Sequence, residues 1–274
     1  MTKLLFTDID GTLIRGDGTL SPALIKGFQQ AAANGHGLIL ASGRPLAGVL
    51  QVQRYLENDC NLHFQHSYIL AFNGALIYDC NKQKIIYEQR LDLPLVDRLQ
   101  KVADDYKVHI QTYTKKDEII CKELTEEVLY YTSKIKIPIL TTDKLTSLLD
   151  HNPFKMIALS RQGSEALYPF KDYIDANFSA EITTMFSGKG YLELVKKDVG
   201  KGTSLKWLCD RLNIPVADSL AAGDSENDLS MIMAAGVGCA MANADDMVKA
   251  NADFITRKSN EEDGLLELLE AYML

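Results

Sequence analysis

Two carboxylates one residue apart, Asp8 and Asp10, follow directly on a short apolar run, Leu4-Leu5-Phe6, and lead into Gly11 and Thr12. Such a run reads as a strand buried in a parallel sheet. If the strand carries through, side-chain alternation sends both carboxylates to the same side. Like charges that close repel unless a cation or a proton sits between them. The pair therefore suggests Mg2+, a hard ion usually held by few carboxylates together with a substrate phosphate. One aspartate is then placed to attack phosphorus and form an aspartyl-phosphate. An Asp-Gly turn with a capping Asp uses the same residue types, so this segment alone leaves both readings open.

A second acidic cluster lies near the other end of the chain. Ser219-Leu-Ala-Ala-Gly223 is a small apolar strand ending in Asp224, with Asp228 four residues on. Leu229, Ile232 and Met233 recur at helical spacing, which puts Asp224 in a strand-to-helix turn and Asp228 one turn up the helix. Ligands of open α/β sheets bind in the crevice at the carboxyl ends of strands, where two acidic strand ends would meet. Asp224 or Ser225 would also serve as a helix N-cap. A cap explains one acid at the turn and not four acids in two matching clusters.

Two further strand ends supply what a phosphate needs. Gly37-Leu-Ile-Leu-Ala41 reads as a buried strand and ends in Ser42-Gly43-Arg44-Pro45. A Ser hydroxyl and backbone N–H groups at a Gly-containing helix start make an anion site, although a Ser cap with Pro at the first helical position has the same letters. The fourth piece is Val199-Gly200-Lys201-Gly202-Thr203-Ser204, followed by an apolar helical face at Leu205, Leu208, Cys209 and Leu212. A lysine in a helix's first turn opposes the macrodipole. Its placement hints at a task elsewhere, such as gripping a phosphoryl oxygen, with a solvent-exposed lysine as the alternative.

Asp8-Ile-Asp10-Gly-Thr12, Ser42-Gly43-Arg44, Lys201-Gly202 and Gly223-Asp224-Ser-Glu-Asn227-Asp228 together resemble the haloacid dehalogenase-like hydrolase superfamily, in its Cof-type sugar-phosphatase branch. Asn73-Gly74-Ala75 after the run Tyr68–Phe72, and the run Tyr191–Val195 before the lysine motif, match the same branch. The resemblance implies a Mg2+-dependent phosphatase with Asp8 as nucleophile and Asp10 as proton donor and then base. It implies Mg2+ held by Asp8, the Asp10 backbone carbonyl and Asp224, with Asp228 ordering metal-bound water or the lysine and Asn227 nearby. Ser42 and Lys201 would hold the phosphoryl oxygens, and Thr12 and Gly43 would shape the local backbone. Arg44 and Asn73 are candidates for phosphate or substrate contact, with structural roles equally open. A phosphomutase of the same superfamily and a catalytically silent binding protein on the same fold are the competing functions. A dehalogenase is disfavoured, because carbon–halogen displacement needs no acid at Asp10.

Bulk properties agree with a soluble enzyme. The chain has 274 residues, 46% hydrophobic and 24% charged, enough for one large or two smaller cores. No stretch approaches the length of a membrane span, and the apolar start is too short for a signal peptide. The net charge of −8 argues against a nucleic-acid partner. Five scattered cysteines (60, 80, 121, 209 and 239) with no Cys-x-x-Cys spacing read as reduced thiols in the cytoplasm. The histidines, His63 and His66 included, show no metal spacing. The expected partner is a small phosphorylated substrate, with no nucleic acid and no membrane, for a monomer or homodimer.

The element pattern divides the chain. Residues 1–78 and 192–274 alternate strand and helix, the signature of a parallel sheet with helices on both faces. Between them, strands at 84–89, 108–113, 154–159 and 181–186 and helical segments at 94–105 and 163–176 suggest an α+β layer. The expected organisation is a Rossmann-like α/β core from 1–81 and 190–274 with an inserted α+β cap domain at 82–189. The resemblance independently implies a mobile cap, inserted after the third core strand, whose side chains choose the leaving group. Tyr113, Tyr130, Tyr131, Lys155, Met185, Phe186 and Lys189 are the cap's candidate contacts, each equally explained by packing.

Overall fold

Leu4, Leu5 and Phe6 have no solvent exposure, which is why this run becomes a strand covered on both faces rather than half of an amphipathic ribbon. In the computed structural model, which describes every residue but Lys136, strand β1 (Leu4–Thr7) is followed by α1 (Pro22–Ala33), β2 (Gly37–Ala41), α2 (Leu46–Asn58) and β3 (His66–Ala71). Two further strands, β4 (Leu76–Asp79) and β5 (Lys84–Glu88), complete the first stretch. Helix α1 starts where the sequence provides a start signal: Ser21 Oγ accepts from Leu24 N at 3.0 Å, and Pro22 sits at the first helical position.

From Gln89 to Val199 the chain forms a second compact unit. It comprises α3 (Leu93–Tyr106), β6 (His109–Tyr113), β7 (Ile119–Cys121), α4 (Glu126–Ile135), β8 (Ile139–Thr141), β9 (Lys155–Leu159), α5 (Tyr168–Phe178), β10 (Ile182–Phe186) and β11 (Tyr191–Lys196). The chain returns to the first unit at Gly200 with α6 (Lys201–Leu212), β12 (Ser219–Gly223), α7 (Glu226–Ala234), β13 (Val237–Ala240), α8 (Asp246–Lys249), β14 (Phe254–Ile255) and α9 (Gly264–Tyr272).

The first unit is built on an eight-stranded sheet in the order β14-β13-β12-β1-β2-β3-β4-β5. Six strands, β14 through β3, pair in parallel, while β4 and β5 add antiparallel pairs at one edge. From β1 the chain steps outward to β2 and β3 on one side; its last third supplies β12, β13 and β14 on the other. The switch point of this doubly wound sheet therefore lies between β1 and β12, where Thr7 pairs with Ala222. A ligand crevice opens outside the carboxyl ends of such a strand pair.

The second unit carries a six-stranded sheet in the order β10-β11-β9-β6-β7-β8, antiparallel except for the β7–β8 pair. Ile110, Met156, Leu192 and Leu194 pack with Leu99, Phe170 and Ile174 of α3 and α5, while Tyr113, Ile157 and Leu159 cluster with Val128 of α4.

Two strands lie elsewhere than the sequence pattern suggests. Lys84–Glu88, expected in the insertion, extends the core sheet beside β4. Tyr191–Lys196, expected in the core, pairs with β9 and β10 of the second unit. The units divide at 88/89 and 199/200 instead of 81/82 and 189/190. An apolar strand carries no mark of which sheet it joins, since pairing partners decide that. No helix among the described residues is long and apolar enough to cross a membrane, and all five cysteines are free thiols.

Candidate active site

Asp8, Asp10, Ser42 and Asp224 sit on loops that leave the carboxyl ends of core strands, whereas Lys201 opens α6 and Asn227 and Asp228 lie in the first turn of α7. Strand β1 stops at Thr7, one residue short of Asp8. The chain then bends, with Leu13 N and Ile14 N both donating to Ile9 O at 3.1 Å. Period-two alternation consequently does not govern Asp8 and Asp10, and their carboxylates part company, contrary to the sequence expectation. Asp8 is buried and joins Lys201; Asp10 is exposed and joins Arg44.

Gly11 is required at this bend. Its φ of +76° suits glycine, and a Cβ there would fall 2.6 Å from Asp224 Oδ2. Asn243, from the loop after β13, donates its Nδ2 to Gly11 O at 2.8 Å. Nothing in the sequence flagged Asn243, since its partner is a backbone carbonyl distant in the chain.

Lys201 is the hub. Gly200 precedes it in extended conformation, so the lysine takes the first position of α6. Its ammonium, fully buried, lies 2.6 Å from Asp8 Oδ1 and 2.5 Å from Asp228 Oδ1. The sequence reading of a lysine with a task beyond helix formation thus meets a geometry that removes it from solvent altogether.

Asp228 does two jobs. Oδ1 meets Lys201, while Oδ2 accepts from Asp224 N at 3.0 Å and Ser225 N at 3.1 Å, closing a capping box with Ser225 at the start of α7. Capping and chemistry are therefore not alternatives for this acid. Thr12 Oγ1 donates to Asp224 Oδ1 at 3.1 Å, so two motifs more than two hundred residues apart touch directly.

One carboxylate oxygen from each of Asp8, Asp224 and Asp228 lies within 4.8 Å of the other two. Three carboxylates against one ammonium leave surplus negative charge in a largely buried space. Burial, followed by repulsion from Asp228, lifts Asp224 to about 6. Burial also pushes Asp8 well above the ordinary carboxylate range, Lys201 opposing and Asp228 and Asp224 reinforcing the rise. Burial works against the charge on Lys201, but Asp228 and Asp8 outweigh it and hold the ammonium above its usual range. A cluster that draws protons in this way, with only hard oxygen donors, fits a hard divalent cation. The Asp10 carboxylate is not part of the trio.

The phosphate-loop candidates form a second, adjoining layer. Ser42 is buried, and its Oγ accepts from Arg44 N at 3.2 Å. Asn73 N donates to Ser42 O at 2.9 Å, and Phe72 N to Arg44 O at 3.0 Å. Phe72, Asn73 and Gly74 have φ of 51°, 57° and 91°, three left-handed residues in a row, a strained conformation of the kind that collects at functional sites. Asn73 is fully buried; its Oδ1 accepts from Asn227 Nδ2 at 3.0 Å, and the same oxygen would lie 3.1 Å from a Cβ at Gly43. Arg44 reaches neither Ser42 Oγ nor Asn73 with its guanidinium but grips Asp10.

Among the cap candidates, Tyr113 and Lys155 are buried within the second unit. Lys155 pairs with Glu193 at 2.6 Å and Tyr113 Oη meets Tyr131 Oη at 2.7 Å, so packing accounts for these three. Tyr130 is exposed, beside Arg161.

The fold and these loops define an α/β protein with an acid-rich candidate site at the switch point of a doubly wound sheet. The chain belongs to the haloacid dehalogenase-like hydrolase family, whose sequence model matches residues 5–269, and it is a hydrolase. A haloacid dehalogenase-like hydrolase from Bacteroides thetaiotaomicron has the same fold, with a TM-score of 0.81 at 30% identity over 99% of both chains. A Streptococcus pyogenes serotype M6 protein named "Putative phosphatase" is 27% identical over 99% of this chain and 98% of its own. The 5-amino-6-(5-phospho-D-ribitylamino)uracil phosphatase of Bacillus subtilis is 26% identical over 98% of this chain and 97% of its own.

Proposed function

We propose that this phosphatase-type hydrolase cleaves small phosphate monoesters, sugar phosphates or phosphorylated cofactors, in a Mg2+-dependent reaction through an aspartyl-phosphate. The observation that carries the reading is the cluster of Asp8, Asp228 and Lys201, all buried, with half-buried Asp224 beside them at the β1/β12 switch point. Names of relatives support the phosphate chemistry, and one of them acts on a phosphorylated ribityl compound.

In the proposed chemistry an Asp8 carboxylate oxygen attacks phosphorus in line with the ester oxygen. The P–O ester bond breaks while Asp10 gives a proton to the departing alcohol. Asp10 then takes a proton from water, whose oxygen attacks phosphorus, freeing inorganic phosphate and restoring the Asp8 carboxylate. Lys201 spends two of its three donors on Asp8 and Asp228, and the third serves a phosphoryl oxygen. The Ser42 hydroxyl and the backbone of the Gly43 loop serve the others. Thr12 steadies Asp224, and Asn227 and Asn73 brace the loop that presents Ser42. Asp8, the Asp10 carbonyl and Asp224 would hold Mg2+, oriented by Asp228; the bound ion supplies positive charge between an anionic nucleophile and an anionic substrate.

The same reading assigns the enzyme to the cytoplasm, as a monomer or homodimer with no nucleic-acid or membrane partner. The net charge of −8 and the free thiols favour it. Leaving-group choice is assigned to the unit from Gln89 to Val199. The test is phosphate release from a panel of hexose phosphates, sugar-alcohol phosphates, flavin mononucleotide and pyridoxal phosphate. Release should require Mg2+, stop with a chelator, and fail to return with Ca2+, whose looser coordination spoils in-line geometry. A hexose phosphate returned with its phosphate moved to another carbon would make the enzyme a mutase instead. No turnover of any ester with Mg2+ present would overturn the reading.

A further inference from the structure

The proposed chemistry leaves one contact at the site without a role. Arg44 Nε donates to Asp10 Oδ2 at 2.8 Å and Nη2 donates to Oδ1 at 2.5 Å. One edge of the guanidinium thus meets both carboxylate oxygens, the fork geometry that fixes orientation as well as position. Among the described residues, no other side chain hydrogen-bonds this carboxylate. Asp10 lies beyond the end of β1 with a side chain 59% exposed, and the terminal torsion of an aspartate is a broad, two-fold rotor. Left alone, the carboxylate would turn freely.

The arm that holds it is itself braced. Arg44 N donates to Ser42 Oγ, Arg44 O accepts from Phe72 N, and Ser42 O accepts from Asn73 N. Phe72 and Asn73 keep left-handed backbone to make those contacts. Strain maintained around a half-buried arginine is out of proportion to the small stability of an ion pair at the surface. A geometric purpose accounts for it better.

We propose that Arg44 is a positioning residue for Asp10: it holds the carboxyl in the orientation from which the proton passes to the leaving oxygen, and it does not bind the transferred phosphate. Each Asp10 oxygen gives one lone pair to the fork and keeps another for the proton in transfer. The inference rests on the phosphatase reading and refines it, moving Arg44 from substrate contact to orientation of the acid.

Proton donation matters in proportion to the basicity of the leaving oxygen, whereas a grip on phosphate matters equally for every ester. The experiment therefore compares kcat/KM of the wild type, Arg44→Ala and Arg44→Lys on dinitrophenyl, para-nitrophenyl and phenyl phosphate with Mg2+, after thermal unfolding has shown that all three fold. Arg44→Ala should lose about 100-fold on phenyl phosphate, the lower end of what general acid catalysis contributes, and less than about 3-fold on the dinitrophenyl ester. Arg44→Lys, which keeps the charge and loses the fork, should fall between. Adding Arg44→Ala to Asp10→Asn should cost nothing further, because the group being oriented is already gone. A uniform loss across the three esters, or no loss at all, would overturn the positioning role while leaving the phosphatase reading intact. A wild type inert toward every ester would overturn both.

Discussion

At the scale of single residues, the proposed chemistry and part of the stability rest on Lys201 and the largely buried carboxylates of Asp8, Asp224 and Asp228. Asp8→Asn keeps the shape of the proposed nucleophile and removes its reactivity, so turnover should drop by about 10⁴-fold or more with the fold retained, as when a covalent nucleophile is deleted. Steady-state phosphate release and circular dichroism check the two halves of that expectation. Lys201→Met leaves two buried carboxylates without their cation. The expected loss is about 3–5 kcal/mol, the range for breaking a buried pair from one side, read from the urea midpoint. Combining it with Asp8→Asn should restore part of the loss, since one of the stranded charges is then gone. Acid behaviour follows from the same cluster. Asp224 titrates near 6 in the folded chain against 3.8 in an open one. The folded state therefore holds more protons in this window, and stability without metal should fall as pH rises from about 4 to about 6 and stay lower above it. On the proposed Mg2+ reading, a divalent cation takes the place of those protons. The increase in melting temperature given by Mg2+ should be small at about pH 5 and several degrees larger at about pH 7.5, because ligand stabilisation grows with affinity.

Among the elements, the left-handed turn at 72–74 ties two motifs together. Gly74 O accepts from Ser204 Oγ of α6 at 2.8 Å, and a Cβ at Gly74 would fall 2.5 Å from that hydroxyl and 2.7 Å from Gly200 O. Gly74→Ala should therefore destabilise the protein by about 1–3 kcal/mol. It should also lower activity more than a surface substitution of equal stability cost, because Gly200 precedes Lys201. Thermal unfolding and kcat, measured together, test this. The turn also marks how far the sequence can be read. Asn73-Gly74 stood out as a motif, yet its letters give no sign of three consecutive positive φ angles or of a partner in α6. Asp8, Ser42, Lys201 and Asp224 were legible because each closes an apolar run or opens a helix, and such punctuation is local. Arg44 was visible as a residue but not in its partner, since a side chain's target depends on where two loops meet. The strands Lys84–Glu88 and Tyr191–Lys196 were found as strands and given to the wrong sheets, because register and neighbours are properties of the assembled sheet.

For the whole molecule, two units with separate apolar cores invite a division of labour. Replacing residues 89–199 by a short flexible linker removes one core and leaves Asp8, Asp10, Ser42, Lys201, Asp224 and Asp228 in the other. Slow hydrolysis of para-nitrophenyl phosphate should survive, while the ranking of natural metabolites should collapse. A folded remnant that keeps the parent's ranking would place specificity in the core. The sheet order carries a consequence for biosynthesis. Strand β1 leaves the ribosome well ahead of its neighbour β12, paired Leu4 to Ser219 through Thr7 to Ala222, which is made more than two hundred residues later. Until β12 is made, that flank of β1 is an open edge, a template for pairing with any other nascent strand. Late closure of so distant a pair is also slow by its topology. A ribosome-held chain stopped before Ser219 should accordingly bind no divalent cation and should depend on a holding chaperone, and release of the last strands should bring both deficits to an end together.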